Sequence, residues 1–251
     1  MTTAPADHFS PLAAQYAAFR PTYPAELFDW LASVAPAHEL AWDCGAGSGQ
    51  ATLPLARHFR QVLASDLSAA QLAAASAPDN VIRRIAPAHD SGLPPQSADL
   101  VIVAQALHWF DLDRFYAEVR RVLKPHGLLA VWGYNRLQIG QPVIQCLLEH
   151  FYDDTLGAYW PPERVHVESG YRDLPFPFPR LPAPAFSMQQ TWQLPQLLGY
   201  LRSWSAAGRY QAATGLDPVA VFERSLAPHW PETATQTISW PLFLQLGRTE
   251  G

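Results

Sequence analysis

Residues 39–50 read ELAWDCGAGSGQ, and this stretch decides the fold. The apolar run at 39–42 predicts a strand. Glycines at Gly45, Gly47 and Gly49 predict a tight loop directly after that strand, because glycine adopts backbone angles that other residues avoid. A strand that ends in such a loop is typical of a site where backbone approaches a ligand closely.

The residues that follow complete a β-α-β unit. A helix is expected over 51–59 and a second strand over 61–65, which Asp66 closes. Ser68 is a favoured cap for the alanine-rich helix after it. Because the two strands are joined through a helix, we expect them to be parallel.

The rest of the chain continues this alternation and then departs from it. Prolines crowd residues 161–184 and predict an ordered surface crossing, because proline fits neither a helix interior nor a central strand. The run KPHG at 124–127 is expected to stop the helix before it. Further strands are predicted over 81–85, 99–104, 128–132, 185–193 and 235–246, and further helices over 112–123, 142–152, 195–205 and 218–226.

Composition excludes several classes of protein. With 251 residues, 49% hydrophobic content and 16% charged residues, the chain has ample material for a core and is not intrinsically disordered. The net charge of -5 disfavours nucleic acid as a partner. Two cysteines and no apolar stretch of membrane-spanning length predict a soluble cytoplasmic protein with no membrane partner.

The glycine spacing narrows the choice of ligand. A dinucleotide fingerprint that starts at Gly45 and Gly47 needs a third glycine at position 50, where the chain has Gln50. Asp66 follows Gly45 by 21 positions, about the distance that places a carboxylate on the hydroxyls of a ribose. The glycine pattern is thus a weaker match for NAD, while the position of Asp66 suits any adenosine-bearing cofactor. The alternative is that Asp66 only caps a helix.

Segments along nearly the whole chain resemble the class I S-adenosylmethionine-dependent methyltransferases. The likeness is to the type 11 group, which includes trans-aconitate methyltransferase-like proteins. It is carried by AWDCGAGSGQATLPLA (41–56), VLASDLS (62–68), APAHDSGLPPQSADLVIVAQALHWFD (86–111), RRVLKPHGLLAVWGYN (120–135), FSPLAAQYAAFRPTYPAELFDWLA (9–32), YLRSWSAAGRY (200–210) and SWPLFLQLGR (239–248).

The resemblance implies a Rossmann-like α/β fold. It has a mostly parallel seven-stranded sheet with an antiparallel last strand, helices on both faces, and an inserted helical cap. The expected divisions are an N-terminal cap segment at 1–36, a cofactor-binding core at 37–135, and a C-terminal part at 136–251 that completes the sheet and carries the cap.

The same resemblance implies the residues that hold S-adenosylmethionine. The methionine part is expected on the glycine loop, the ribose and adenine after the second strand, the adenine amino group after the third, and the sulfonium after the fourth. The methionine part is assigned to Asp43, Gly45, Ala46 and Gly47, and the ribose and adenine are assigned to Asp66 and Leu67. The adenine amino group is assigned to Ala88 and His89, and the sulfonium to Gln105. His89 departs from the family, which often has an acidic residue there, so only its backbone role carries over.

The N-terminal segment contributes further candidates. The resemblance implies that this segment folds over the cofactor, so Arg20 is expected to bind the cofactor carboxylate through two hydrogen bonds. The alternative is a surface arginine. Tyr16 and Tyr23 are assigned to the cofactor and to the substrate respectively, and the alternative for both is packing within the cap.

His108 is the candidate catalytic residue. It follows the fourth strand, where an open α/β sheet presents loops to its ligand, and it can act as a general base. The alternative is a histidine satisfied by neighbouring backbone. Trp109 and Tyr134 are candidate substrate contacts, and Trp109 can instead lie near the positive sulfur or pack in the core.

Other chemistries find little support in the pattern. The histidines and cysteines lack metal-ligand spacing, and no G-x-S-x-G elbow is present. Tyr200, Trp204 and Tyr210 lie in the cap, where packing is favoured over a lid. The prediction is a methyltransferase acting on a small molecule, with O-methylation of a carboxylic acid as the leading expectation. A nucleotide-dependent oxidoreductase and a non-catalytic cofactor-binding protein are the alternatives.

Overall fold

A computed structural model describes residues 21–74, 78–231 and 233–250. Nine strands lie within these ranges. In chain order they are β1 Leu40–Cys44, β2 Gln61–Asp66, β3 Val81–Ile85, β4 Ala98–Ala104, β5 Leu123–Tyr134, β6 Gln138–Ile139, β7 Arg180–Leu181, β8 Ser187–Trp192 and β9 Gln236–Arg248.

Nine α-helices also lie within the described part of the chain. In chain order they are α1 Ala25–Val34, α2 Thr52–Leu55, α3 Ala69–Ala74, α4 Leu112–Val122, α5 Pro142–His150, α6 Arg164–Glu168, α7 Leu194–Arg202, α8 Ser205–Thr214 and α9 Pro218–Leu226. None of the described helices is long and apolar enough to span a membrane.

The chain divides into two compact units. The first, which we call the sheet unit, contains Thr22–Asn135, Val165–Ser187 and the chain from Pro241 onward. The second, which we call the cap unit, contains Arg136–Arg164 and Met188–Trp240. Helix α1 therefore belongs to the sheet unit, and β9 contributes residues to both units.

The sheet order is β3-β2-β1-β4-β5-β9, which confirms the predicted α/β architecture. The first five strands pair in parallel, and β9 pairs antiparallel with β5. The order of connection reverses between β1 and β4. In open α/β sheets ligands bind at such a reversal, beyond the carboxyl ends of the strands.

Side chains alternate between the two faces of the sheet because neighbouring residues of a strand point to opposite sides. In β1, Trp42 packs with Phe115 of α4, whereas Ala41 packs with Leu27 of α1. The sheet is thus covered on both faces and its central strands are buried. This explains their continuous apolar sequences.

Several predicted boundaries were wrong. The helix expected over 51–59 is only Thr52–Leu55, followed by a turn. Helix α4 ends at Val122, directly before the KPHG run as predicted, but that run lies within β5, because Leu123 already pairs with Ala98. His126 accommodates this with a left-handed φ of 62°. Helix α8 was not predicted.

The proline-rich segment agrees with expectation in part. Residues 175–184 are exposed or half-buried except for Phe178, as predicted for a surface crossing. The segment also contains helix α6 and the short strand β7, which pairs with β9, and its Tyr171 and Phe178 are buried in the sheet unit's core. Aromatic residues that alternate with prolines carry the packing here, while proline withholds only the backbone donor.

The cap unit is built around a cluster of aromatic rings. Tyr200 and Trp204 are buried and lie 5.6 Å apart in an edge-on arrangement, and Tyr210 lies 5.0 Å from Tyr159. Phe151 stacks on Phe222 at 4.4 Å. All three predicted cap aromatics contact rings of their own unit, and their packing on the main domain stays a prediction.

Candidate active site

The glycine loop closes the carboxyl end of β1. Gly45, Gly47 and Gly49 all have positive φ, at 72°, 54° and 83°. The backbone N–H groups of Gly45 and Ala46 both donate to the carbonyl of Ser65, which ties the loop to β2. A Cβ added at Gly45 would lie 2.8 Å from the Cβ of Ala106, so both conformation and space require glycine there.

The Asp66 carboxylate lies at the carboxyl end of β2 and accepts two backbone hydrogen bonds. Its Oδ2 accepts the N–H of Gly47 at 2.9 Å, and its Oδ1 accepts the N–H of Ser68 at 2.8 Å. Ser68 is the residue that caps helix α3, with its Oγ accepting from Gln71 at 3.4 Å. Asp66 is therefore not the helix cap, and its hydrogen bond to Gly47 stabilises the glycine loop. The neighbouring Leu67 is exposed.

Asp43 is a fully buried carboxylate at the end of β1. Its Oδ2 accepts the hydroxyl of Thr52 at 2.6 Å, whereas no group in the described part of the chain donates to Oδ1. Burial raises the pKa of Asp43 to about 7; the Thr52 hydrogen bond opposes this and the negative charge of Asp66 adds to it. A buried polar atom without a partner is unusual and marks a candidate ligand contact.

Ala88 and His89 lie in a half-buried turn after β3. The N–H of Asp90 donates to the carbonyl of Pro87 at 3.1 Å and closes the turn. The N–H of Ala86 donates to the carbonyl of Asp66, also at 3.1 Å. The turn is thus hydrogen bonded to the end of β2 at Asp66.

Gln105 ends β4 with a left-handed φ of 58°. Its side chain pairs with the backbone of Tyr134: Nε2 donates to the carbonyl at 3.2 Å, and Oε1 accepts the N–H at 2.8 Å. A Cβ at Gly133 would lie 2.4 Å from that Oε1, so β5 needs glycine there. The side-chain amide of Gln105 therefore joins two strand ends, and its contact with the sulfonium stays a prediction.

His108 lies in a 3-10 turn at Leu107–Trp109 and is half-buried. Its Nδ1 lies 2.7 Å from the hydroxyl of Tyr171, so a side chain rather than backbone contacts this nitrogen. The ring of Trp109 lies 4.8 Å from the imidazole, and Trp109 is 39% exposed. Sequence reasoning missed Tyr171, because it lies in the segment expected to cross the surface.

Tyr23 and Tyr134, two of the predicted substrate contacts, come together in the sheet unit. Their rings lie 6.5 Å apart, and the ring of Trp132 lies 5.6 Å from that of Tyr23. Tyr23 is half-buried, while Tyr134 is buried. Tyr16 and Arg20 lie outside the described residues. Within the described ranges, no group of three or more His, Cys, Asp or Glu side chains is arranged to hold a metal ion.

Comparison with known proteins identifies the chemistry. The methyltransferase domain family matches residues 42–131. A Dictyostelium discoideum protein that carries a methyltransferase name is 33% identical over 97% of this chain and 95% of its own length. A Saccharomyces cerevisiae protein named as an S-adenosylmethionine-dependent methyltransferase is 35% identical over 48% of this chain and 45% of its own length.

A solved structure agrees in both sequence and fold. A protein of Anaeromyxobacter dehalogenans, named as a type II methyltransferase, is 46% identical, with a TM-score of 0.87 over 92% of this chain and 98% of that one. These relatives decide against the nucleotide-dependent oxidoreductase. The chain belongs to the class I S-adenosylmethionine-dependent methyltransferases, and its cofactor is S-adenosylmethionine.

Proposed function

We propose that this methyltransferase transfers a methyl group to the carboxylate oxygen of a small organic acid in the cytoplasm. The observation that carries the proposal is the arrangement at the carboxyl ends of β1, β2 and β4. There a glycine loop, the carboxylates Asp43 and Asp66, and His108 follow strands that meet at one edge of the sheet. The net charge of -5 supports a small molecule over nucleic acid as the acceptor.

The residues at this edge fit S-adenosylmethionine. The buried Oδ1 of Asp43 has no donor in the described chain and is suited to the ammonium of the methionine part. A Cβ at Gly45 would clash with Ala106, and its absence lets the backbone of the loop approach the cofactor closely. We assign Asp66 to the ribose hydroxyls, because each carboxylate oxygen accepts more than the one N–H it has here. Leu67 is assigned to the adenine.

The mechanism needs alignment more than acid-base chemistry. When bound, S-adenosylmethionine supplies a methyl group on a positively charged sulfur that is a good leaving group. The chain's task is to hold the acceptor in line and exclude water, and such positioning is worth ~7–11 kcal/mol. A carboxylic acid with a pKa of about 4 is already ionised at neutral pH, so no residue has to remove a proton. In this reaction His108 orients the acceptor and is not a base.

The direct test is an acceptor screen. Small carboxylic acids, phenols and amines are incubated with the enzyme and S-adenosylmethionine, and formation of S-adenosylhomocysteine is followed. We expect turnover with acids that carry a partly apolar body. Turnover confined to phenols or amines would contradict carboxylate methylation, and no turnover with any class would favour the non-catalytic alternative.

A His108→Gln variant tests the base-free mechanism with the best acid from the screen. Glutamine keeps polarity and approximate size, so we expect kcat at saturating substrate to fall less than about tenfold. Loss of a general base would instead cost ~10²–10⁴. His58→Gln is the matched control, because His58 is another half-buried histidine of the sheet unit, and its Nε2 lies 3.3 Å from Oδ1 of Asp29. A loss above a hundredfold in His108→Gln alone would overturn the mechanism.

A further inference from the structure

Tyr171 is a buried tyrosine that the proposed mechanism does not use. It is fully buried, and its hydroxyl lies 2.7 Å from Nδ1 of His108 although 63 residues separate the two. Their rings lie 5.7 Å apart. A short contact between a buried phenol and the candidate site histidine bears on what that histidine can do.

The surrounding chain holds Tyr171 in an unusual conformation. Gly170 and Tyr171 have consecutive left-handed φ values of 65° and 58°, which non-glycine residues disfavour. Gln245 of β9 donates to the Tyr171 carbonyl at 3.1 Å, and the Phe243 ring lies 5.0 Å from the tyrosine ring. The N–H of Tyr171 donates to the carbonyl of His166 at 2.8 Å. Backbone strain of this kind persists where surrounding contacts hold the residue in place, and it often occurs at functional sites.

The chemistry of the two groups favours one direction of their hydrogen bond. A phenol is a good donor, and the unprotonated nitrogen of an imidazole is a good acceptor. When the Tyr171 hydroxyl donates, Nδ1 of a neutral His108 carries no proton, so the proton lies on Nε2. In that tautomer Nε2 donates a hydrogen bond and cannot accept a proton.

We infer that Tyr171 is a positioning residue that fixes the tautomer and orientation of His108, so that the imidazole offers a donor rather than a base. This inference rests on the proposed function of His108. It adds a reason for acceptor selectivity: a carboxylate benefits from a donor, whereas a neutral hydroxyl or amine needs a base. The ring of Trp109 also lies 4.8 Å from the imidazole.

The first test is NMR of the enzyme labelled in the histidine ring nitrogens, at a pH where the imidazole is neutral. His108→Gln identifies the His108 signals by their disappearance. We expect Nδ1 of His108 to be unprotonated and hydrogen bonded, and Nε2 to carry the proton. A protonated Nδ1 in the wild-type enzyme would overturn the inference without any need for a variant of Tyr171.

The second test compares Tyr171→Phe with Tyr116→Phe. Both variants remove a buried tyrosine hydroxyl in the sheet unit, but that of Tyr116 donates to the Pro175 carbonyl at 2.7 Å. We expect Tyr171→Phe alone to shift the His108 Nδ1 resonance to that of a nitrogen without a hydrogen bond. An unchanged resonance would overturn the inference.

Activity gives a third readout. In Tyr171→Phe we expect kcat with the best acid to fall about two- to tenfold, the size of one net hydrogen bond, while cofactor affinity stays unchanged. An equal loss in Tyr116→Phe would overturn the positioning role. The NMR result does not depend on the acceptor. If the screen finds no acid but Nδ1 is hydrogen bonded to Tyr171, the proposed function fails and the tautomer assignment stands.

Discussion

Two fully buried aspartates lie at opposite ends of the parallel strands, which we call the amino edge and the carboxyl edge of the sheet. They differ in how many hydrogen bonds their carboxylate oxygens accept. Asp99, at the amino end of β4, accepts from Lys124 Nζ at 2.7 Å and from the N–H groups of Glu39 and Leu40 at 2.8 and 3.0 Å. Asp43, at the carboxyl end of β1, has only Thr52 as a donor among the described residues. Both are 0% exposed, so burial alone does not distinguish them.

We infer from this difference that the amino edge contributes to stability and the carboxyl edge to ligand binding. At the amino edge every oxygen of the buried carboxylate has a partner within the protein, which is the usual state of a buried charge. At the carboxyl edge one oxygen has no partner among the described residues, and left-handed backbone recurs at Gly45, Gly47 and Gln105. We therefore expect substitutions at the carboxyl edge to change cofactor affinity, and those at the amino edge to change stability.

Gly45→Ala should have the largest effect on cofactor affinity. The new Cβ would lie 2.8 Å from the Cβ of Ala106, and the φ of 72° is unfavourable for alanine. Backbone strain of about 1–2 kcal/mol and overpacking of about 1–3 kcal/mol would move the loop out of its conformation. Calorimetry with S-adenosylmethionine should show an affinity loss of more than about a hundredfold.

Gly140→Ala is the control for this variant. A Cβ at Gly140 meets no described atom within 4 Å, so affinity should not change. If Gly45→Ala folds, as judged by circular dichroism, and binds the cofactor normally, the assignment of the loop is incorrect.

Asp66→Ala should have the next largest effect. It removes the acceptor proposed for the ribose and also the acceptor for the N–H groups of Gly47 and Ser68. Affinity should fall by about 1.5–3 kcal/mol, or about 10–150-fold. Asp217→Ala is the control, because that carboxylate also accepts a backbone N–H, from Val219, but in the cap unit. Equal affinity losses in the two variants would contradict the assignment of Asp66 to the ribose.

Asp43→Asn should weaken cofactor binding about two- to tenfold, because a neutral amide replaces the charged partner of the ammonium. It should also change the pH dependence of stability. The folded-state pKa of Asp43 is raised from 3.8 to about 7, so the folded protein binds more protons than the unfolded chain between those values. This group therefore lowers stability as pH rises through that window, and its effect levels off above about pH 7.

Urea unfolding of the cofactor-free protein across this pH range tests the second expectation. The Asn variant should lack the part of the decline that comes from Asp43 and should be at least as stable as the wild type at neutral pH. An identical pH profile in the two proteins would contradict the raised pKa of Asp43.

Asp99→Asn should have the smallest effect on affinity and a clear effect on stability. The amide NH₂ would face the ammonium of Lys124, or the backbone N–H groups of Glu39 and Leu40 would lose their acceptor. Either leaves donors unsatisfied, which costs about 1–3 kcal/mol of unfolding free energy. Cofactor affinity of the folded variant should equal that of the wild type. A large affinity loss here would mean that both edges contribute to the ligand site.

Much of the fold was determined by local sequence. The apolar run before Gly45, the helix cap Ser68 and the apolar spacing of α4 each act within a few residues. Strand β3 and helix α9 begin and end where periodicity predicted. These features depend on backbone preference and on which face of one element is apolar, and both can be recognised in a single stretch of sequence.

The composition of the site needed the tertiary structure. His108 and Tyr171 meet across 63 residues, and Gln105 pairs with the Tyr134 backbone across 29. The left-handed angles of Gln105 and Tyr171 have no local signal, since both residue types normally avoid them. Packing against distant strands decides these contacts. Such packing can override local preference, so the sequence predicted the edge that we propose for the cofactor but not the partner of His108.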